Sequence, residues 1–131
     1  MKNAAPYIYL NTRDELLKIN LSRVVYFEAD GNYTQIVLAN GLKTLVCIGL
    51  SKMETVLSSR LREHPGLFVR IGKRFIVNTA FIYRIHVLQQ ELVLSDQASF
   101  SYTVGISKEA LRKLKDAMTA SITAKPKEPE A

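Results

Sequence analysis

Phe68-Val69-Arg70-Ile71-Gly72-Lys73-Arg74-Phe75-Ile76-Val77-Asn78 is the stretch on which the reading of this chain turns. Two apolar halves flank Gly72-Lys73-Arg74, so the segment reads as two strands, Leu67 to Ile71 and Phe75 to Asn78, joined by a turn in which cations surround a glycine. Phe68, Ile71, Phe75 and Val77 would anchor the strands in a core while the turn pushes Lys73 and Arg74 outward. Such a turn can carry donors into a DNA groove, because Arg and Lys pair with guanine O6 and N7 and also bind phosphates without regard to sequence. A solvated basic hairpin accounts for the same residues equally well, and both readings stand at this point.

Upstream of the basic stretch the chain alternates between short apolar runs and turn residues. Tyr7 to Leu10 and Leu16 to Leu21 flank Asn11-Thr12-Arg13-Asp14, which proposes an opening hairpin. The nearly continuous apolar run Val24 to Ala29 predicts a central strand. After Asp30-Gly31-Asn32, Tyr33 to Ala39 puts Thr34, Ile36 and Leu38 on one face and Gln35 and Val37 on the other. Asn40-Gly41 predicts a type I′ turn into a strand from Leu42 to Ile48, since both central residues of that turn need positive φ. Ser51-Lys52-Met53-Glu54 has the spacing of a capping box and opens a helix with the stripe Leu50, Met53, Leu57 and Leu61, stopped by Pro65-Gly66.

Downstream, Ile82 to Leu88 and Glu91 to Leu94 flank Gln89-Gln90 as a further hairpin, and Phe100 to Val104 is the last strand. Ser107 caps a closing helix, with Ile106 and Leu111 as a hydrophobic staple and Leu111, Leu114, Met118 and Ile122 as its stripe. No internal repeat is present. Residues 1–123 read as one domain, and 124–131, with its Lys-Pro-Lys-Glu-Pro-Glu run, as a disordered tail.

Composition narrows the function classes. The 131 residues and 14.8 kDa suit one domain, and 47% apolar with 23% charged residues allows a real core. No apolar run is long enough to span a membrane and the first residues carry no secretory signal, so a cytoplasmic location is expected, with no membrane partner. Cys47 is the single cysteine, expected to be buried and inert in a strand, which leaves packing to hold the fold. The net charge is +6, and residues 60–84 carry six Lys and Arg against Glu63 alone, a formal +5 that suits a polyanion.

Catalytic chemistry finds no support. His64 and His86 lack the neighbours of a local metal motif, no serine sits in a G-x-S-x-G elbow, and Ser95-Asp96 reads as a turn pair. The scattered glycines form neither a Walker loop nor a G-x-G-x-x-G fingerprint. No metal, cofactor or enzymatic activity is expected.

Two blocks carry a resemblance to a known family: Val25-Tyr26-Phe27-Glu28-Ala29-Asp30-Gly31-Asn32-Tyr33-Thr34-Gln35-Ile36, and the stretch from Phe68 to Asn78. In this order, with the Leu-rich helix Leu50 to Leu61 between them and a Leu-rich strand and short helix after them, they resemble the LytTR-type DNA-binding domains of bacterial transcriptional regulators over roughly residues 8–118. The resemblance implies a mainly β, elongated antiparallel architecture with one internal short helix and a C-terminal helix. Loops between strands would enter successive major grooves and read double-stranded DNA, often at paired direct repeats and with bending. By the same resemblance Lys73 falls on a base-reading position, Tyr33, Thr34 and Gln35 lie around another, and Arg70, Arg74 and Lys43 would contact the DNA backbone.

The chain departs from the family pattern in two places. Family members often carry His before the basic reader and Ser after it, where this chain has Gly72 and Arg74. The arginine usual before the last helix maps near Gly105 or Ile106 and is missing, which leaves Lys108 as its substitute. With about 20 residues outside the resemblance there is no room for the phosphoacceptor receiver domain that many members carry. The chain is therefore either a free-standing regulator, which Met1 and the charged tail favour, or the output half of a longer response regulator. A second copy on a paired site and a separate sensor or receiver protein are the further partners implied. The competing readings are a protein-interaction β module that has lost specific DNA binding, then an RNA binder, then an enzyme.

Overall fold

Strands and helices succeed one another as the apolar segments and turn residues require in the computed structural model, which describes residues 6–122. Tyr7–Asn11 (β1) and Leu16–Asn20 (β2) form the opening hairpin, followed by Val24–Asp30 (β3), Tyr33–Leu38 (β4) and Lys43–Val46 (β5). Leu50–Arg60 (α1) leads to Phe68–Ile71 (β6) and Phe75–Asn78 (β7). Ile82–His86 (β8), Glu91–Ser95 (β9), Ser101–Gly105 (β10) and Lys108–Ile122 (α2) complete the order. All pairings among the described strands are antiparallel, in a two-stranded β1-β2 sheet, a five-stranded sheet ordered β5-β4-β3-β7-β6 and a three-stranded sheet ordered β10-β9-β8. The expected tail from residue 124 lies outside the described residues.

The nearly continuous apolar run puts β3 at the centre of the large sheet, because a strand buried on both faces needs partners on both edges. Phe27 stands opposite Ile36 of β4 on one side and Ile76 of β7 on the other. On that face Phe27, Ile36 and Ile76 meet Ile8 and Ile19 from the hairpin, Leu21 just after it, and Leu50, Met53, Leu57 and Leu61 from the α1 segment. On the opposite face Tyr26, Val37, Ile71, Phe75 and Val77 meet Leu92, Leu94 and Val104 of the small sheet and Leu111 and Leu114 of α2. A fully buried Leu, Ile or Phe contributes about 1.5–3 kcal/mol, so these two cores carry the fold. At the start of β3 the register shifts between Val24 and Tyr26, an irregularity that leaves Val25 and Tyr26 in the same core.

Two short 3-10 turns use one device. Asn20 Oδ1 accepts from the Ser22 N–H at 3.0 Å before Leu21–Arg23, and Asn78 Oδ1 accepts from the Ala80 N–H at 2.9 Å before Thr79–Phe81. Asn78 is fully buried and also donates Nδ2 to the Val24 carbonyl at 2.8 Å, which ties the end of β7 to the start of β3.

Three sequence expectations are corrected. The capping box at Ser51 does not form: Gly49 takes the cap position, Ser51 lies inside α1, and Arg70 occupies both groups, its Nη1 donating to Glu54 Oε1 at 2.9 Å and to Ser51 Oγ at 3.4 Å. The Asn40-Gly41 turn is not type I′, since among the described non-glycine residues only Gln90 and Gln97 have positive φ. The Leu38 N–H donates to the Leu42 carbonyl at 2.9 Å, so the loop holds three residues and only Gly41, at φ +94°, needs the left-handed region. Cys47 is exposed, because β5 ends at Val46. The closing helix follows expectation, with Ser107 Oγ accepting from the Ala110 N–H at 3.2 Å.

Candidate nucleic-acid interface

The turn from Gly72 to Arg74 is fixed from both sides. Ile71 pairs with Phe75, both buried in the core, and Gly72 takes φ +63°, a left-handed conformation that glycine adopts without the Cβ penalty. Arg70 Nη2 donates to the Lys73 carbonyl at 2.9 Å, and the Ala29 N–H donates to the Arg74 carbonyl at 2.8 Å. With both carbonyls held, the turn backbone has little freedom. The Lys73 side chain itself is exposed and makes no ion pair among the described residues.

The three cations of the basic stretch therefore differ in what they offer. Arg70 is spent inside the molecule: Nη1 is on Glu54 and Ser51, Nη2 on the Lys73 carbonyl, and Nε is buried without a partner. These bonds make Arg70 a brace beneath the turn. Arg74 Nη2 donates to Glu28 Oε2 at 2.7 Å and its guanidinium lies 5.4 Å from the Phe75 ring centroid, yet the side chain is 65% exposed and keeps further donors outward. An exposed pair of this kind contributes about 0–1 kcal/mol, so a phosphate can compete for the guanidinium. Glu28 and Glu54 are the partners of these arginines that sequence reasoning did not assign. The signal available was Glu28 inside the otherwise apolar run Val24 to Ala29.

The β3–β4 loop reaches the same end of the sheet, since β3 runs toward it and Glu28 stands opposite Phe75. Asp30 pairs with Tyr33 across Gly31 and Asn32, and Tyr33 is exposed at the start of β4. Gln35 is half-buried beside Glu28 on the face that carries Tyr33. Thr34 points the other way. It is fully buried and donates its hydroxyl to the Ile48 carbonyl at 2.8 Å, which places it in the core beneath the loop.

Gly105, Ile106 and Ser107 line a recess of about 160 Å³ together with Gly72, Lys73, Arg74 and Phe75. Ala110 of α2 lines the same recess, and the exposed Lys108 is the first residue of that helix. Lys43 stands apart. It pairs with Val37 on the far edge strand, roughly three strand spacings or 14 Å across the sheet from β7 and beside the opposite turn. The structure brings Lys73 and Arg74 together at one recess, puts Tyr33 and Gln35 toward the same end of the sheet and leaves Lys43 at the opposite end.

Two titratable groups near these elements are shifted. Burial, with help from the Glu28 and Tyr102 charges, pushes the Tyr26 phenol up, so it stays neutral in the core. At the β9–β10 turn the Ser99 hydroxyl and the N–H groups of Ala98, Ser99 and Phe100 hold the Asp96 carboxyl well below the usual carboxylate range. Among the described residues no group of three His, Cys, Asp or Glu side chains could hold a metal ion, and no helix is long and apolar enough to cross a membrane.

Comparison with known proteins bears on what such a surface serves. The profile of the LytTr DNA-binding domain matches residues 14–119. Among solved structures, the LytTr DNA-binding domain of a protein described as a methyl-accepting/DNA response regulator from Bacillus cereus has the same fold. It superposes with a TM-score of 0.63 at 21% identity, over 88% of this chain and 98% of that one. No curated protein matches the chain.

Proposed function

The chain belongs to the LytTr DNA-binding domain family, and from that premise we propose that it binds double-stranded DNA sequence-specifically as a bacterial transcriptional regulator. The family is one of DNA binding rather than catalysis. The observation that carries the finer reading is the Lys73 turn: both its carbonyls are held by protein groups while its ammonium is exposed and unpaired among the described residues. A donor on a braced turn loses less conformational freedom on binding than one on a loose loop.

In this reading Lys73 enters a major groove and pairs with a guanine edge, while Tyr33 and Gln35 reach the neighbouring bases. Arg74 exchanges or shares its Glu28 partner with a phosphate, and Lys108 contacts the duplex from the start of α2, where the helix dipole also favours an anion. Arg70 sets the turn without touching DNA, and Lys43 stands outside the contact surface. Paired direct repeats would seat two copies side by side, and the regulating signal would come from a separate sensor or receiver.

Selection from a random duplex library with the purified protein, paired with a salt titration on the enriched site, tests this reading. An enriched motif whose log affinity falls linearly with log salt, by about 0.9 per phosphate contacted, is the expected result. Salt-sensitive binding without an enriched motif would reduce the surface to a basic patch. Absence of duplex binding would favour an interaction module, a reading to which the internal pairing of Arg70 and Arg74 lends weight.

A further inference from the structure

We propose that the turn from Val87 to Gln90 is an additional sequence-reading element that recognises an A·T base pair, Gln89 and Gln90 pairing with adenine and Leu88 packing on the thymine methyl. The inference rests on the DNA-binding reading above and adds a contact to it. Strands β8 and β9 pair up to His86 opposite Glu91, and the turn between them closes through the Gln90 N–H on the Val87 carbonyl at 3.0 Å. The Gln89 N–H donates to His86 Nδ1 at 3.4 Å, and the Gln90 carbonyl accepts from the Ile106 N–H at 3.0 Å. Ile106 belongs to the recess that Gly72, Lys73 and Arg74 also line. One backbone hydrogen bond therefore joins this turn to the end of the molecule that presents Lys73.

What the turn exposes is unusual for a solvated hairpin. Turns of that kind favour Asn, Asp and Gly, whereas this one displays Leu88 at 73% exposure, more than any other large apolar side chain described, beside two exposed glutamines. Neither carboxamide is hydrogen-bonded among the described residues. Without charge the turn has little attraction for phosphates. A carboxamide instead offers one donor and one acceptor in a plane, the complement of adenine N7 and N6, and an apolar side chain suits the thymine methyl. The neighbouring cations would set register on the backbone, and this neutral turn would read.

The test is a random duplex selection run in parallel on the native chain, on Gln89→Ala/Gln90→Gly, on Leu88→Ser and on Lys73→Ala. Glycine is chosen at position 90 because Gln90 has φ +57°, which glycine accepts without strain. The native motif is expected to contain an A·T pair that survives in Lys73→Ala and disappears in the glutamine variant. Affinity of the glutamine variant for the best site should fall about 5- to 150-fold, the range of one bidentate base contact, with random-duplex affinity unchanged because no charge is removed. Leu88→Ser should weaken the preference for thymine at the same pair. Recovery of the native motif at native affinity by the glutamine variant would overturn the inference and leave the proposed function standing, whereas no motif from the native chain would overturn both.

Discussion

Replacing Asn78 by Asp should make the fold acid-stabilised relative to the native chain. Asn78 is fully buried, with Oδ1 accepting from the Ala80 N–H at 2.9 Å and Nδ2 donating to the Val24 carbonyl at 2.8 Å. In Asn78→Asp the first bond survives, but the second places a carboxylate oxygen against a carbonyl oxygen, and only a protonated carboxyl can donate there. Burial and this contact both raise the folded-state pKa above the unfolded value of about 3.9. A rise of about 2 units corresponds to about 3 kcal/mol. Between the two pKa values the native state binds the extra proton, so stability relative to the native chain falls as pH rises through about 4 to 6 and is flat above. Asn78→Ala leaves the Val24 carbonyl and Ala80 N–H unpaired and should cost about 2–4 kcal/mol at every pH. Urea denaturation of the three proteins at pH 4 and pH 7, with m-values checked for constancy, reads the difference. Equal losses for Asn78→Asp at both pH values would refute the assignment of the Nδ2 bond.

Thr34→Val should lower stability by about 1–2 kcal/mol through loss of the bond to the Ile48 carbonyl, while the ratio of specific to random duplex affinity stays unchanged; a lost base preference would restore Thr34 as a reader. Arg70→Ala should weaken binding at the selected site by loosening the Lys73 turn and leave the salt slope unaltered, and a slope reduced by about one unit would make Arg70 a phosphate contact after all. Asp96→Ala should lower the melting temperature at neutral pH, where the depressed carboxylate is ionised and accepts from the β9–β10 turn. Because the folded-state pKa is lowered, that contribution is present above the unfolded value of about 3.9 and lost as pH falls through the folded value, so the gap between the two proteins should narrow in acid. A gap independent of pH would show that turn geometry rather than charge is responsible.

The features legible in sequence were those set by local periodicity. The apolar run of β3, the Leu50, Met53, Leu57 and Leu61 stripe and the Ser107 cap each depend on neighbours within a few residues, and each is found where the pattern puts it. The corrected features depend on partners distant in the chain. Arg70 takes the two side chains of the expected capping box from 16 and 19 residues away, and Glu28 meets Arg74 across 46 residues. Net charge counted along residues 60–84 consequently overstated the free cations, since two of the arginines are paired with glutamates outside that window. The burial of Thr34 was legible in the local pattern. Alternation already grouped it with Ile36 and Leu38, and its full burial beside Ile36 follows that grouping. The placement of Lys73, Tyr33 and Gln35 toward one end of the sheet, and the separation of Lys43, follow from strand order and register, which no spacing in the sequence encodes.

The most direct test of the account compares Lys73→Ala with the native chain on the selected site and on random duplex at the same salt. The account predicts an extra loss at the selected site of about 1–3 kcal/mol beyond the loss on random duplex, with the melting temperature unchanged because the side chain is exposed and unpaired among the described residues. Equal losses on both duplexes would contradict it and leave Lys73 as one phosphate contact among several.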